Sequence, residues 1–154
     1  MVDLPPFQHL LNAHGVDLHR FCVAQVGADA GADCFQEAVI AALRSYPSLT
    51  SAANLRGWLF TIAHRKVLDH HRAVARRPVL VGAVPEREAA PTIPDGDLWA
   101  AVAALPDKQR GAITLRYLAD LPYSEIARAL DCSEAAARQN VRAALASLRT
   151  EVAR

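Results

Sequence analysis

Four prolines within residues 76–96 divide this chain of 154 residues into two parts. They are Pro78, Pro85, Pro91 and Pro94. Proline has no backbone N–H and clashes with the preceding turn of a helix, so a continuous helix cannot pass through this segment. The segment also has few large apolar side chains, and we therefore predict a flexible, extended linker. Its Val79-Leu80-Val81 run could instead form a short strand or a docking segment.

The parts on either side of this linker have the periodicity of amphipathic helices. Alanine, the strongest helix former, is abundant in both, and hydrophobic residues make up 52% of the chain, which excludes a disordered protein. Helices are expected at about 7–27, 33–46, 55–75, 97–105, 108–119, 124–130 and 134–149, and Asn54 suits the N-cap of the third. We therefore predict an all-α protein with two small helical domains, residues 7–75 and 97–150, joined by the flexible linker 76–96.

Charge is unevenly distributed along the chain, although the formal net charge is only +1. Residues 1–43 hold one arginine against five acidic residues, whereas residues 44–77 hold seven lysines and arginines against Asp69 alone. An acidic segment beside a basic one suggests two different partner surfaces. A solvated surface with uneven charge is the alternative that charge alone leaves open.

The sequence carries no catalytic or metal-binding motif. Its three cysteines are not spaced like zinc ligands, so we expect buried, reduced thiols, and we expect the six histidines to be solvated or, in one or two cases, near a phosphate. It has no glycine-rich phosphate loop and no nucleophile elbow. We predict that the protein is not an enzyme and needs neither cofactor nor metal. Because it has no signal peptide and no apolar run of ~20 residues, we expect a cytoplasmic protein without membrane insertion.

Residues 124–142 have the pattern of a helix-turn-helix. Ala127 is small where the two helices must cross closely, and Ser133 suits the N-cap of the second helix. Asp131 lies in the turn, where it would adopt the left-handed backbone conformation at some cost in conformational energy. The second helix would present a polar face to the major groove of DNA, although a plain helical hairpin is the alternative. That face comprises Glu134, Arg138, Gln139 and Arg142.

The ordered set of segments resembles the extracytoplasmic-function sigma factors, the smallest sigma-type initiation factors of bacteria. Residues 7–27 resemble the first helix of sigma domain 2, and DCFQEAV at 33–39 resembles the segment that docks on the β′ clamp of RNA polymerase. LRGWLFTIAHRKVLD at 55–69 resembles the promoter-melting helix. LPDKQR at 105–110 and LRYL at 115–118, followed by the helix-turn-helix, resemble sigma domain 4.

This resemblance assigns polymerase binding to Asp33, Gln36 and Glu37. Their spacing of i, i+3 and i+4 puts them on one helix face, where they can offer charge and hydrogen bonds to a basic partner surface. A solvated face without a partner is the alternative. By resemblance, residues 7–75 bind the β′ clamp and the −10 region, and residues 97–150 bind the β flap and the −35 element.

Candidate promoter contacts also follow from the resemblance. The loop 47–54 corresponds to the family's pocket for a flipped −10 base, and cations on the next helix can neutralise phosphates. Trp58 could stack on a base at a melted junction, but a core role is the alternative. The −10 candidates are Ser51, Asn54, Arg56, Trp58, Arg65, Lys66 and Arg72. The −35 candidates are Arg116, Ser133, Glu134, Arg138, Gln139 and Arg142.

Three positions depart from the family pattern. Arg65 stands where the family commonly has Asn, which implies an altered −10 preference or weaker melting. Ala143 and Leu145 stand where the family commonly has arginines, so the affinity for −35 DNA is expected to be modest.

Together these features predict a non-enzymatic transcription initiation factor. Its expected partners are core RNA polymerase, promoter DNA and, by resemblance, an inhibitory anti-sigma factor. One alternative is a polymerase- or anti-sigma-binding regulator without promoter recognition, which promoter-specific initiation would exclude. The other is a stand-alone helix-turn-helix repressor, which operator binding without polymerase would support.

Overall fold

The computed structural model describes residues 2–77 and 96–152, which we call the first and the second block, and every regular element in them is a helix. The first block contains α1 (Phe7–Val26), α2 (Ala28–Ser45) and α3 (Leu55–Arg76), with a 3-10 turn at Tyr46–Ser48. The second block contains α4 (Gly96–Ala103), α5 (Asp107–Tyr117), α6 (Tyr123–Leu130) and α7 (Glu134–Val152). The all-α prediction is confirmed, whereas most of the predicted linker lies outside the described residues.

A single glycine separates α1 from α2. Gly27 has a φ of 92°, a conformation that glycine adopts without a steric cost, and its N–H bonds to the Val23 carbonyl at 2.9 Å. The second helix therefore begins at Ala28, five residues before the predicted start at 33. The prediction was wrong because Gly27 alone reverses the chain and no further loop is needed.

The start of α3 follows the predicted capping. The side-chain oxygen of Asn54 accepts a hydrogen bond from the Gly57 N–H at 3.0 Å, and Asn54 itself has a φ of 54°. Asparagine tolerates this left-handed conformation better than most residues. Just upstream, Tyr46 is buried between Phe7, at 5.2 Å between ring centroids, and Trp58, at 6.0 Å.

The helix-turn-helix forms from α6 and α7. Asp131 adopts the left-handed conformation with a φ of 53°, and the next N–H, that of Cys132, bonds to the Ala127 carbonyl at 3.0 Å. The Ser133 hydroxyl accepts from the Ala136 N–H at 3.0 Å, which is the predicted N-cap. The inner residues Ala127, Ala137 and Val141 are buried. The local geometry of the motif is thus confirmed.

The two blocks share one hydrophobic core. Phe21, Leu59 and Phe60 of the first block belong to the same buried cluster as Leu115 and Ile126 of the second. Contacts run from α1 to α4 and α5, and from α3 to α5. The sequence left the relative placement of the two domains open, and in this structure they are packed against each other.

Candidate nucleic-acid interface

The three candidate polymerase-binding residues share one exposed face of α2. Asp33, Gln36 and Glu37 are exposed, while Cys34, Ala38 and Ala42 on the opposite face are buried. The exposed face continues into two large apolar residues that the sequence reasoning missed, Ile40 at 50% and Leu43 at 54% exposure. We call these five exposed residues the α2 strip: Asp33, Gln36, Glu37, Ile40 and Leu43. An apolar patch rimmed by polar groups is typical of a protein interaction site.

The outer face of α7 is open to solvent. Glu134, Arg138, Gln139 and Arg142 are all exposed, as the helix-turn-helix pattern predicted. The Arg138 guanidinium lies 3.5 Å from a Glu134 carboxylate oxygen, and Ser133 caps the helix at its first turn. These side chains can therefore reach a groove without any rearrangement of the helix.

Tyr123 is a residue of this surface that sequence reasoning missed. The guanidinium of Arg116 lies 4.5 Å from the centroid of its ring, and that of Arg138 lies 5.1 Å from it. Arg116 also donates to the Leu121 carbonyl at 3.0 Å. Cation–π contacts of this kind hold planar guanidinium groups in place. An aromatic residue at the first position of α6 was the signal that could have revealed this role.

Most of the candidate −10 residues lie on or before α3 with their polar atoms accessible. Ser51, Arg65 and Arg72 are exposed and Lys66 is half-buried. Asn54 is exposed too, although one of its side-chain oxygen lone pairs caps α3. Trp58 is half-buried beside Tyr46, which supports the core role for part of its ring.

Arg56 is placed differently from the other candidate −10 residues. Its guanidinium bonds to His14 Nδ1 at 2.9 Å and to the Asp17 carboxylate at 3.1 Å, and its Nε donates to the Leu118 carbonyl of the second block. It also lies 5.0 Å from the centroid of the Phe60 ring. In this structure, Arg56 joins the two blocks through these bonds, and its assignment as a −10 contact stays a prediction.

A buried polar network joins the blocks near Arg110, whose side chain is only 8% exposed. Its Nε donates to the Gln25 side-chain oxygen at 3.0 Å, and its Nη1 donates to the Ala103 and Leu105 carbonyls. Gln25 in turn donates to the Thr114 hydroxyl at 3.1 Å. Gln25 had no role in the sequence reasoning, because its partners lie more than 80 positions away.

His64 contradicts the expectation that the histidines are solvated. It is 4% exposed on α3, where its ring faces Gly111 of α5 and Ala129 of α6. Neither ring nitrogen makes a hydrogen bond of normal geometry with the described parts of the chain. Burial lowers the pKa of His64 to about 4, because the interior disfavours the charged ring more than the Ala129 backbone favours it.

His64 makes the stability of the fold depend on pH. Its pKa in the folded state lies below the ordinary value of 6.5, so the unfolded chain binds more protons and stability falls as the pH drops from 6.5 towards 4. We expect the free energy of unfolding at pH 5 to be about 2 kcal/mol lower than at pH 7 from this residue. The charged and titratable groups around the ring are Arg65 and His71 on α3, and Glu125 and Arg128 on α6.

Urea unfolding at pH 7 and pH 5 measures this effect. His64→Gln should reduce the loss of stability at pH 5 relative to the wild type, whereas the exposed His9→Gln should leave it unchanged. An equal loss in wild type and His64→Gln would contradict the assignment.

Two of the three cysteines are buried, as the sequence predicted. Cys22 and Cys34 are buried and Cys132 is half-buried, and all three are free. Burial raises the pKa of Cys22 to about 12. Within residues 2–77 and 96–152, no three His, Cys, Asp or Glu side chains come together as metal ligands would. None of the helices in these ranges is both long enough and apolar enough to cross a bilayer.

Comparison with known proteins gives the family. Models of two sigma-70 regions match the chain, region 2 over residues 10–77 and region 4 over residues 95–148. The ECF RNA polymerase sigma factor BldN of Streptomyces coelicolor is 29% identical over 84% of this chain and 54% of its own length. SigK of Mycobacterium tuberculosis, also an ECF sigma factor, is 35% identical over 60% of this chain and 55% of its own length. The chain belongs to the extracytoplasmic-function sigma-factor family. This sigma factor spans about half the length of the curated relatives it matches.

Two solved structures share the fold. RpoE of Bartonella quintana, crystallised with the anti-sigma factor NepR, has a TM-score of 0.74 and 22% identity over 97% of this chain and 98% of its own. CnrH, solved in complex with the cytosolic domain of CnrY, has a TM-score of 0.61 and 20% identity over 95% of this chain and 86% of its own.

Proposed function

We propose that this sigma factor binds core RNA polymerase, recognises the −35 and −10 elements of promoters and helps to melt the −10 region. The observation that carries the proposal is the exposed outer face of α7, a capped recognition helix with Arg138 and Arg142 directed to solvent in a sigma region 4 domain. Such a helix can lie in the major groove and read base edges. The polymerase catalyses RNA synthesis, and the sigma factor positions the polymerase on the promoter.

The proposed −10 function depends on α3 and the loop before it. Arg65, Lys66 and Arg72 can neutralise phosphates, and each contact would make binding weaker as the salt concentration rises. Ser51 in the loop is exposed, and its hydroxyl, which accepts from the Ala53 N–H at 3.1 Å, can still donate to a flipped base. Arg65, in place of the family's usual Asn, would change the contact with the melted strand.

The proposed polymerase contacts use one surface on each block. In the first block, the α2 strip offers two carboxylates to a basic partner and two apolar side chains that can be buried on docking, which fits the β′ clamp. In the second block, an apolar groove of about 320 Å³ is lined by residues of α4, α5 and α7 and would accept the β flap. Its lining includes Leu98, Trp99, Val102, Tyr117 and Leu148.

An anti-sigma factor is the third proposed partner. The support is that RpoE, which shares the fold, was solved in complex with the anti-sigma factor NepR, and CnrH, which also shares it, in complex with the cytosolic domain of CnrY. An inhibitor of this sigma factor would need to cover the same exposed surfaces that polymerase and promoter DNA use.

Run-off transcription with purified core polymerase tests the proposed function. The reactions contain a pool of genomic promoter fragments, with and without the protein, and we expect discrete transcripts that depend on it. Alignment of the DNA upstream of their start sites would give the −10 and −35 motifs. Tight binding to core polymerase without any transcript would refute promoter recognition and favour a polymerase-binding regulator.

Replacing Asp33, Gln36 and Glu37 together by alanine should weaken binding to core polymerase on the order of ten-fold or more, because the α2 strip would lose its charge and hydrogen-bonding groups. Helical content by circular dichroism should not change, since all three residues are exposed. The matched control is Asp3→Ala with Glu151→Ala, which removes the same charge from exposed positions elsewhere. Equal affinities of the two variants would refute the docking assignment.

A further inference from the structure

A polar pocket of about 230 Å³ lies between α3 of the first block and α6 of the second. Its volume is below the ~300–1,000 Å³ of pockets for drug-sized ligands, so it suits a smaller molecule. Each helix contributes three lining residues, and most of them are ionisable, in contrast to the apolar groove of the second block. They are Thr61, His64 and Arg65 from α3, and Glu125, Arg128 and Ala129 from α6.

The two walls of this pocket each carry one arginine. Arg65 on α3 and Arg128 on α6 are both exposed, and among the residues that the structure describes neither forms an ion pair with a carboxylate. A guanidinium presents its N–H donors in a planar fork that fits an oxyanion. One arginine can occupy both oxygens of a carboxylate, whereas the three terminal oxygens of a phosphate monoester suit two arginines. The pair of arginines therefore favours a phosphate.

The same pocket also offers hydrogen-bond acceptors. Glu125 is exposed, and its carboxylate has no ion-pair partner in the described parts of the chain. The Thr61 hydroxyl donates to the Gly57 carbonyl at 2.8 Å, so its oxygen can still accept a hydrogen bond. A bare anion would be repelled by Glu125, whereas a ligand that carries hydroxyl groups can donate to it. The mixed lining therefore favours a molecule with both a phosphate and hydroxyl groups.

His64 is the buried member of the lining. Its side chain is on a residue only 4% exposed, and neither ring nitrogen has a hydrogen-bond partner of normal geometry in the described residues. Burial lowers the pKa of His64 to about 4, so the ring is neutral at neutral pH and adds no charge to the pocket. Buried polar groups without partners are rare in folded proteins, and a bound ion or water is a usual explanation. The ring is thus a second, independent sign of a polar ligand.

We propose that the pocket between α3 and α6 binds a small organic phosphate that carries hydroxyl groups. Arg65 and Arg128 hold the phosphate oxygens, and Glu125 and Thr61 accept hydrogen bonds from the hydroxyl groups. The inference goes beyond the proposed function, which assigns no small-molecule ligand to this sigma factor.

Isothermal titration calorimetry of the full chain with glycerol 3-phosphate, at neutral pH and constant ionic strength, tests the site. We expect saturable binding with a Kd on the order of 1 mM, and about ten-fold weaker binding by Arg65→Gln with Arg128→Gln. The matched control is Arg44→Gln with Arg149→Gln, which removes the same charge from exposed positions of α2 and α7 and should leave the Kd unchanged. The NMR signals of the His64 ring should shift on binding, and those of the exposed His9 should not.

Inorganic phosphate is the second probe, because it lacks the hydroxyl-bearing carbon chain. The wild type should bind it about ten-fold more weakly than glycerol 3-phosphate. Glu125→Ala should reduce this preference several-fold, since the loss of negative charge helps both probes equally and the loss of the acceptor affects glycerol 3-phosphate alone. Glu151→Ala, at an exposed position of α7, should keep the preference of the wild type.

The absence of saturable binding of glycerol 3-phosphate would overturn the proposal. An equal loss of affinity in the two double-arginine variants would also overturn it, because the attraction would then be non-specific. If the Arg65 and Arg128 variant loses its helices by circular dichroism, Glu125→Ala decides the question, and an unchanged preference between the probes would contradict the site. None of these measurements requires polymerase or DNA, so their outcome is independent of run-off transcription.

Discussion

Replacing Arg110 by methionine should lower the free energy of unfolding by about 3 kcal/mol. The methionine keeps most of the apolar stem of the side chain but has no donors. The side-chain oxygen of Gln25 and the Leu105 carbonyl would then lose the bonds that Arg110 donates in the protein interior. Each buried acceptor left without a partner costs roughly 1–3 kcal/mol, so the loss exceeds any gain from removing a buried charge.

Urea unfolding at neutral pH measures this change. The control is Arg149→Met, the same substitution at an exposed position of α7, which should shift stability by less than about 0.5 kcal/mol. Asp107→Asn should also have a small effect, because Asp107 is 78% exposed and its ion pair with Arg110 is screened by water. A loss no greater than that of Arg149→Met would show that the network is not a stabilising one.

Replacing Arg138 and Arg142 together by alanine should reduce transcription from a −35-dependent promoter by about a hundred-fold or more. Each arginine that reads a base contributes roughly 1–3 kcal/mol, and the two side chains lie four residues apart on the exposed face of α7. The variant should also show a shallower dependence of promoter affinity on salt concentration, because fewer counterions would be released on binding.

The decisive comparison is between two promoters that differ only in the −35 element. The variant should lose activity on the intact promoter and little on one whose −35 element has been replaced. The matched control, Arg20→Ala with Lys108→Ala, removes the same charge from α1 and α5 and should retain the difference between the promoters. Equal activity of the variant and the control on the intact promoter would refute the role of α7.

The sequence predicted those parts of the fold that depend on neighbouring residues. The helix caps at Asn54 and Ser133 and the left-handed turn at Asp131 could be predicted from the sequence. Each cap is a hydrogen bond to a backbone N–H three residues further along, and the turn is a dihedral angle of a single residue. The same locality explains the exposed face of α7, which follows from the 3.6-residue period once the turn is known. The assignment of these residues to polymerase and DNA stays a prediction.

The contacts between the two blocks could not be predicted in this way. The face of α3 that meets the second block contains Gly57, Thr61 and His64, which do not form the apolar stripe that marks a buried helix face. The hydrogen bond from Gln25 to Thr114 joins residues 89 positions apart in the sequence, and no local sequence pattern indicates a partner at that distance. The expectation of a solvated side chain was wrong for His64, and Gln25 is buried although no sequence pattern marked it.

The ring of Tyr123 beneath two arginines would affect the entropy of the proposed DNA recognition. A free arginine side chain samples many rotamers, and fixing it in one costs about 2 kcal/mol. Because Tyr123 and Glu134 already restrict Arg138, part of that disorder is lost when the chain folds and not when DNA arrives. A recognition helix with few cations can in this way draw more binding free energy from each one than a helix whose arginines move freely.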